Sequence, residues 1–379
     1  MFFHDVYGQE RVKQLLRKYV AQRRLPHALL LSGNEGSGTF PLALALAQYV
    51  NCKNPTPEGE ACGECRSCVR FNKLKHPDFY FFAPYAGALS DLKVETEFPL
   101  ARLSTLLEKS SYISQAEWML LWSKDGSKKL RLPVEAAQEI IASLDFSPVM
   151  GGYKVILIYL PELMEEAAAN QILKTLEEPR SRTLFLLVSS HPERLLPTIR
   201  SRVQELFVPP LSKEELLEAF LRRGVSIDKR IEGIVRVAQG SYITAQRLFL
   251  EHDTTRLEFL QRLLRMAYNR DYEALLVWAD DMARLGREEQ RQLLTYYAQM
   301  LRDMFMFHVG REDLTLVLDK ELEFAKKVSP FIDGKNVGAL LHEYASAYRQ
   351  VNDNCNMTIV YTDLAIRHAK LIQRLPAKK

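Results

Sequence analysis

Three unbroken apolar stretches, HALLLSG at 27–33, YKVILIYL at 153–160 and TLFLLVSS at 183–190, constrain the fold more than anything else in the chain. Runs of this kind suit strands buried on both faces, which occur almost only in parallel sheets covered by helices. Segments of helical period accompany them. GQERVKQLLRKYVAQR at 8–23 places Val12, Leu15, Leu16 and Val20 at helical spacing, PVEAAQEIIASL fills 133–144, and EEAAANQILKTLEE at 165–178 stops at Pro179. The alternation predicts an α/β domain built on a parallel sheet.

After VPPLS at 208–212 the pattern becomes amphipathic helix throughout. SKEELLEAFLRRG opens with a Ser-x-x-Glu capping box, and DKRIEGIVRVAQG and SYITAQRLFLEH complete a small helical group. Longer helical segments follow at 288–310 and 336–351. The expected organisation is an α/β domain over 1–210, a small helical domain over 211–252 and an all-α domain over 253–379. From about Ala83 to Leu132 the pattern weakens into a long insertion carrying Trp118, Trp122 and KDGSKK, a turn suited to a hairpin. Its tryptophans are expected in a satellite core, the other reading being a partner surface.

The first apolar run continues into a glycine turn, GNEGSGTF, and a helix from about Pro41 to Val50. A working phosphate loop reads G-x-x-x-x-G-K-[ST], with backbone N–H groups cradling phosphates, the lysine on the β and γ phosphates and the hydroxyl on magnesium. Gly33, Gly36 and Gly38 keep the cradle, whereas Thr39 and Phe40 replace the lysine and the metal ligand. Glu35 adds a negative charge where phosphates would lie. The strand that should end in acidic residues ends instead in Tyr159 and Leu160, with no carboxylate before Glu162. Two halves of one site fail together, so no ATP is expected in this site.

Four of five cysteines, Cys52, Cys62, Cys65 and Cys68, fall in one polar window, and Cys355 stands far off. The spacing C-x9-C-x2-C-x2-C suits tetrahedral zinc, and four protein ligands leave no place for water. A structural Zn2+ module at about 51–76 is expected, the lesser readings being an iron–sulfur cluster and four reduced cysteines packed as small apolar residues.

The formal net charge is +4, too slight to mark a nucleic-acid binder by itself. No apolar run reaches the length of a membrane span and the N-terminus lacks a leader pattern, so a cytoplasmic location is expected.

In order and spacing, YGQERVKQLL, RLPHALLLSG, the four-cysteine insertion, HPD at 76–78, EEAAANQILKTLEEP and TLFLLVSSHPERLLPTIRSRVQ resemble the bacterial clamp-loader family, in particular its delta prime subunits. The resemblance implies an AAA+-type P-loop domain with a zinc-binding insertion, followed by a helical lid and an all-α collar. It implies a role in DNA replication as a noncatalytic stator of the DNA polymerase III clamp loader. The implied partners are gamma/tau-type motor subunits and a delta subunit in a hetero-pentameric ring, with the sliding clamp and primer-template DNA reached through the complex. In TIRSR at 198–202 it implies that Arg202 acts as an arginine finger in trans on a neighbour's ATP, with Arg200 structural; Val203 replaces the family's cysteine. Ser189 falls at the polar sensor position, and Ile243 replaces the sensor arginine of the motor subunits. Two rivals remain open: a divergent motor ATPase using another lysine such as Lys154, and a zinc-stabilised DNA-binding module.

Overall fold

A computed structural model of the chain describes residues 1–86, 97–122, 129–250, 255–317, 319–353 and 355–372. Its centre is a five-stranded, all-parallel sheet made of β1 (Ala28–Ser32), β2 (Phe79–Phe82), β3 (Lys154–Tyr159), β4 (Thr183–Ser189) and β5 (Gln204–Phe207), in the order β2-β3-β4-β1-β5. The three apolar runs supply its three central strands, and every residue of those strands is buried.

The two edge strands are a correction, because neither was anticipated. FYFF in β2 is four residues long with no alternation, and QELF in β5 is mostly exposed, so neither carries a period. They become strands through backbone pairing with β3 and β1, a tertiary condition.

Helices α1 (Glu10–Ala21), α2 (Thr39–Asn51), α3 (Arg66–Asn72), α4 (Glu97–Leu107), α5 (Gln115–Leu120), α6 (Val134–Ser143), α7 (Glu166–Glu177) and α8 (Pro197–Arg200) accompany the sheet. One face carries a core that includes Leu16, Leu29, Leu44, Leu157 and Trp118; the other is packed by Leu30, Ile140, Ile156, Ile172 and Leu187. Trp118 is fully buried in the first of these and Trp122 packs against it, so the insertion joins the main core. The turn expected at KDGSKK falls on 123–128, outside the described residues. On its C-terminal side Arg131 pairs with Tyr85 in an antiparallel bridge.

Beyond the sheet come α9 (Lys213–Arg222), α10 (Lys229–Ala238), α11 (Tyr242–Leu250), α12 (Thr255–Asn269), α13 (Tyr272–Ala283), α14 (Arg287–His308), α15 (Asp319–Val328), α16 (Val337–Asn352) and α17 (Met357–Leu371). The chain divides into two compact units. One holds the sheet, Lys128–Ser226 and Ala238–Arg247; the other holds Ile227–Val237 and Leu248–Lys379. In the second unit α14 packs on α16 and α13 on α17 around Trp278, Tyr297, Tyr344 and Tyr361.

Candidate functional site: a degenerate nucleotide cleft and a four-cysteine centre

At the C-terminal end of β1 the chain turns through Gly36 (φ +83°) and Gly38 (φ +104°), a left-handed geometry that glycine adopts without strain. Helix α2 starts two residues before the expected Pro41, with Gly38 as its N-cap. The frame of an anion cradle is therefore present. Its two decisive side chains are not those of a phosphate site: Thr39 and Phe40 are both buried, and Phe40 packs edge-on against Tyr159 at 5.1 Å and Phe81 at 6.1 Å. An aromatic ring thus stands where a hydroxyl would meet magnesium.

The adjacent strand end repeats the substitution. Tyr159 is buried, and burial followed by nearby Glu35 and Glu162 raises its phenol well above the ordinary value. Leu160 adopts φ +52° and donates its N–H to the Val188 carbonyl. Glu162 accepts from the Ser190 amide at 3.3 Å. Ser189 is buried, with its carbonyl taken by Gly33 N–H at 3.2 Å and its hydroxyl by His191 N–H at 3.1 Å. It braces the ends of two strands. Glu35 is raised above a normal carboxylate by burial, with Glu117 and Glu162 adding to the rise.

The segment bearing Ile243 closes on this turn. Tyr242 N–H donates to the Gly36 carbonyl at 3.1 Å. A Cβ on Gly36 would stand 2.8 Å from the backbone nitrogens of Tyr242 and Ile243, so only glycine admits the approach.

Lys154, the substitute cation weighed from sequence, lies at the other end of the sheet. It begins β3, and its ammonium donates to the carbonyls of Ser143, the last residue of α6, and of Phe146 just beyond, the latter at 2.6 Å. Roughly 15 Å of strand separates the two ends of such a sheet, too far for this lysine to reach the glycine turn.

Arg202 also lies at that far edge, after α8 and two residues before β5, whose Gln204 pairs beside Leu29 at the start of β1. Its guanidinium pairs with Glu177 at the end of α7, with Nε 2.6 Å from Oε1, and Nη1 donates to the Thr198 carbonyl at 2.7 Å. Arg200 pairs with Glu205 at 2.9 Å. Glu177 was missed from sequence because the contact spans 25 positions with no local signal.

The four cysteines do converge. Cys52 caps the end of α2, Cys65 is the N-cap of α3, and Gly63 (φ +77°) turns the chain between Cys62 and Cys65. All four sulfurs lie within 4.8 Å of one another, with Cys52–Cys62 at 3.5 Å and Cys62–Cys68 at 4.0 Å. Metal–sulfur bonds of about 2.3 Å in a tetrahedron need sulfurs about 3.8 Å apart, so the donor set fits one metal ion. Backbone N–H groups of Cys62, Cys65 and Cys68 point at the sulfurs of Cys52, Cys62 and Cys65. Burial works against the Cys65 thiolate, but N–H groups of Lys53 and Cys68 outweigh it and hold that thiol at about 6; burial pushes Cys68 to about 12. The module is tied to the rest by Glu60, which accepts Phe3 N–H at 3.0 Å and pairs with Arg17 at 2.6 Å. HPD is a staple of the same kind: His76 meets Ser67 of α3 at 2.9 Å, and buried Asp78 accepts the amides of Val149 and Met150.

A family model described as DNA polymerase III, delta subunit, matches residues 8–212, more than half of the chain. The chain belongs to the DNA polymerase III delta subunit family. Among curated relatives, the DNA polymerase III subunit delta' of Escherichia coli K12 is 29% identical over 367 residues, covering 95% of this chain and 94% of the relative. The delta' subunit of Bacillus subtilis 168 is 26% identical, with 82% and 81% covered. The tau/gamma subunit of Haemophilus influenzae matches at 26% over 63% of this chain and 29% of its own length. Members of this delta subunit family thus resemble the chain through both units, whereas tau/gamma is matched over a smaller share. No described helix is long and apolar enough to cross a membrane.

Proposed function

We propose that the chain is the noncatalytic, delta prime-type subunit of the DNA polymerase III clamp loader. The observation that carries this reading is the match to delta' along both chains, joined to a glycine turn whose lysine and hydroxyl positions are Thr39 and buried Phe40. In this reading residues 211–252 act as the lid and 253–379 as the collar that joins motor and delta subunits in a ring. The bound metal is zinc, held by Cys52, Cys62, Cys65 and Cys68. It is structural, because four thiolates fill a tetrahedron.

Arg202 supplies the arginine finger to a neighbouring motor subunit. Its place at the sheet edge opposite the glycine turn supports action on another chain's nucleotide, since it is too far from its own. A guanidinium at the transferring phosphoryl spreads and neutralises its developing charge. The ring reconstituted with Arg202→Ala is expected to keep its composition while turnover at the adjoining site falls by about 10³-fold or more. The measurement is DNA-stimulated ATPase and clamp loading, with Arg200→Ala as the control that retains activity. Wild-type rates from the Arg202→Ala ring would reject the finger. For the metal, about one zinc per chain is expected on freshly purified protein.

A further inference from the structure

The long insertion has no part in the function just described, yet its residues 112–118 touch two altered positions of the nucleotide cleft, Glu35 and Tyr159, together with Tyr7 and Tyr242 beside the glycine turn. The Tyr112 hydroxyl accepts Tyr7 N–H at 2.8 Å and lies 3.6 Å from where a Cβ on Gly38 would stand. Its ring packs against Tyr242 at 4.7 Å and Tyr7 at 5.4 Å. The next carbonyl, that of Ile113, accepts the Tyr159 hydroxyl at 3.2 Å. Gln115 N–H, at the start of α5, donates to Glu35 Oε1 at 2.7 Å. Trp118 then closes against Tyr159 at 6.1 Å and is itself fully buried.

We propose that residues 112–118 are a built-in occupant of the vacated nucleotide cleft, a peptide plug that holds the Tyr242 segment against the glycine turn with no ligand bound. The chemistry of the substitutions supports this over simple decay. A carboxylate in a phosphate loop repels phosphate, but it is a good acceptor for the single peptide N–H that it meets here. A tyrosine in place of a strand-end carboxylate cannot hold magnesium, but it donates to a carbonyl. Glu35 and Tyr159 are thus groups that recognise peptide backbone, one its donor and one its acceptor. Decay without a replacement would leave the buried Tyr159 hydroxyl and the half-buried Glu35 carboxylate without these partners, at a cost of about 1–3 kcal/mol for the buried group. Because the plug is covalently part of the chain, it is present at a high effective concentration at any nucleotide level.

The inference is independent of the arginine finger and is tested on the isolated full-length chain, with no ATPase readout. Amide hydrogen exchange is followed at 33–40, 112–118 and 241–246 in wild type, Tyr159→Phe and Tyr112→Ala. Seated residues are protected, and loosening the plug is expected to speed exchange in all three segments together. Tyr159→Phe removes one hydrogen bond, so an acceleration of up to about tenfold is expected. If Tyr112→Ala fails to fold, Tyr159→Phe decides by itself. Unprotected amides at 112–118 in wild type would overturn the proposal, and so would acceleration confined to 112–118. Magnesium ATP added to wild type at millimolar concentration is expected to leave all three segments unchanged; new protection at 33–40 would show an open cleft and overturn it too.

Discussion

Arg202 is held on the surface of its own chain by Glu177, a partly exposed pair. Such pairs contribute about 0–1 kcal/mol, so the arginine can leave its partner at little cost when a nucleotide's charge is offered. Glu177→Gln is accordingly expected to keep turnover of the reconstituted ring at or above wild type, while Arg202→Ala lowers it. Steady-state ATPase on the same preparations checks this, and a Glu177→Gln ring as slow as Arg202→Ala would mean that the pair itself is what the neighbour needs. A second single residue sets an acid limit. His368 on α17 is fully buried, its Nδ1 3.4 Å from the Tyr344 hydroxyl, and burial pulls its pKa down to about 3 from 6.5. With the folded value below the unfolded one, the unfolded chain binds the extra proton between those limits. Stability is full above about pH 6.5 and falls as pH drops toward 3, by about 1.4 kcal/mol per pH unit. Hydrogen exchange of the α17 amides at pH 7 and pH 5 is expected to show that loss, and His368→Leu to flatten it.

Single elements are held by contacts that cross long stretches of sequence. The capping box expected at SKEE is present: Ser212 accepts Glu215 N–H at 3.2 Å, and Glu215 accepts Ser212 N–H at 2.8 Å. The same carboxylate also accepts Gln9 N–H at 2.8 Å, so α9 is fastened to the YGQE turn before α1. Glu215→Ala therefore removes one exposed and one half-buried hydrogen bond and is expected to cost about 1–2 kcal/mol in denaturant unfolding. Local signals made the cap legible; the contact with Gln9 has none, since the two residues stand 206 positions apart. The same division runs through the sheet. ALLLS, KVILIY and TLFLLVS show their burial in their own composition, while FYFF and QELF do not.

At the scale of the whole molecule, the two compact units carry separate cores. The four-cysteine centre belongs to the first, and its metal is expected to contribute there alone. Stripping zinc with a chelator, or Cys68→Ser, is expected to expose 48–80 to rapid hydrogen exchange and to lower the first unit's stability by several kcal/mol. Peptides of α13, α14, α16 and α17 are expected to keep their protection. Loss of protection in both units would contradict separate cores.

Sequence by itself determined the three central strands, the helices α1, α2, α6 and α7 beside them, the four-cysteine cluster and the missing lysine and hydroxyl of the phosphate loop. Each is written locally, as an unbroken apolar run, a helical period, a ligand spacing or a residue type at a fixed offset. Only the tertiary structure decided what became of the altered cleft. GNEGSGTF and YLPEL give a loss when read alone. Folding brings Tyr112, Ile113 and Gln115 to Tyr242, Tyr159 and Glu35, and makes the same positions a matched set of peptide contacts. Tyr159 and Ile113 stand 46 positions apart, and Gln115 and Glu35 stand 80 apart. A hydrogen bond needs only its two partners within reach, and no spacing in the sequence records which distant carbonyl or N–H will arrive.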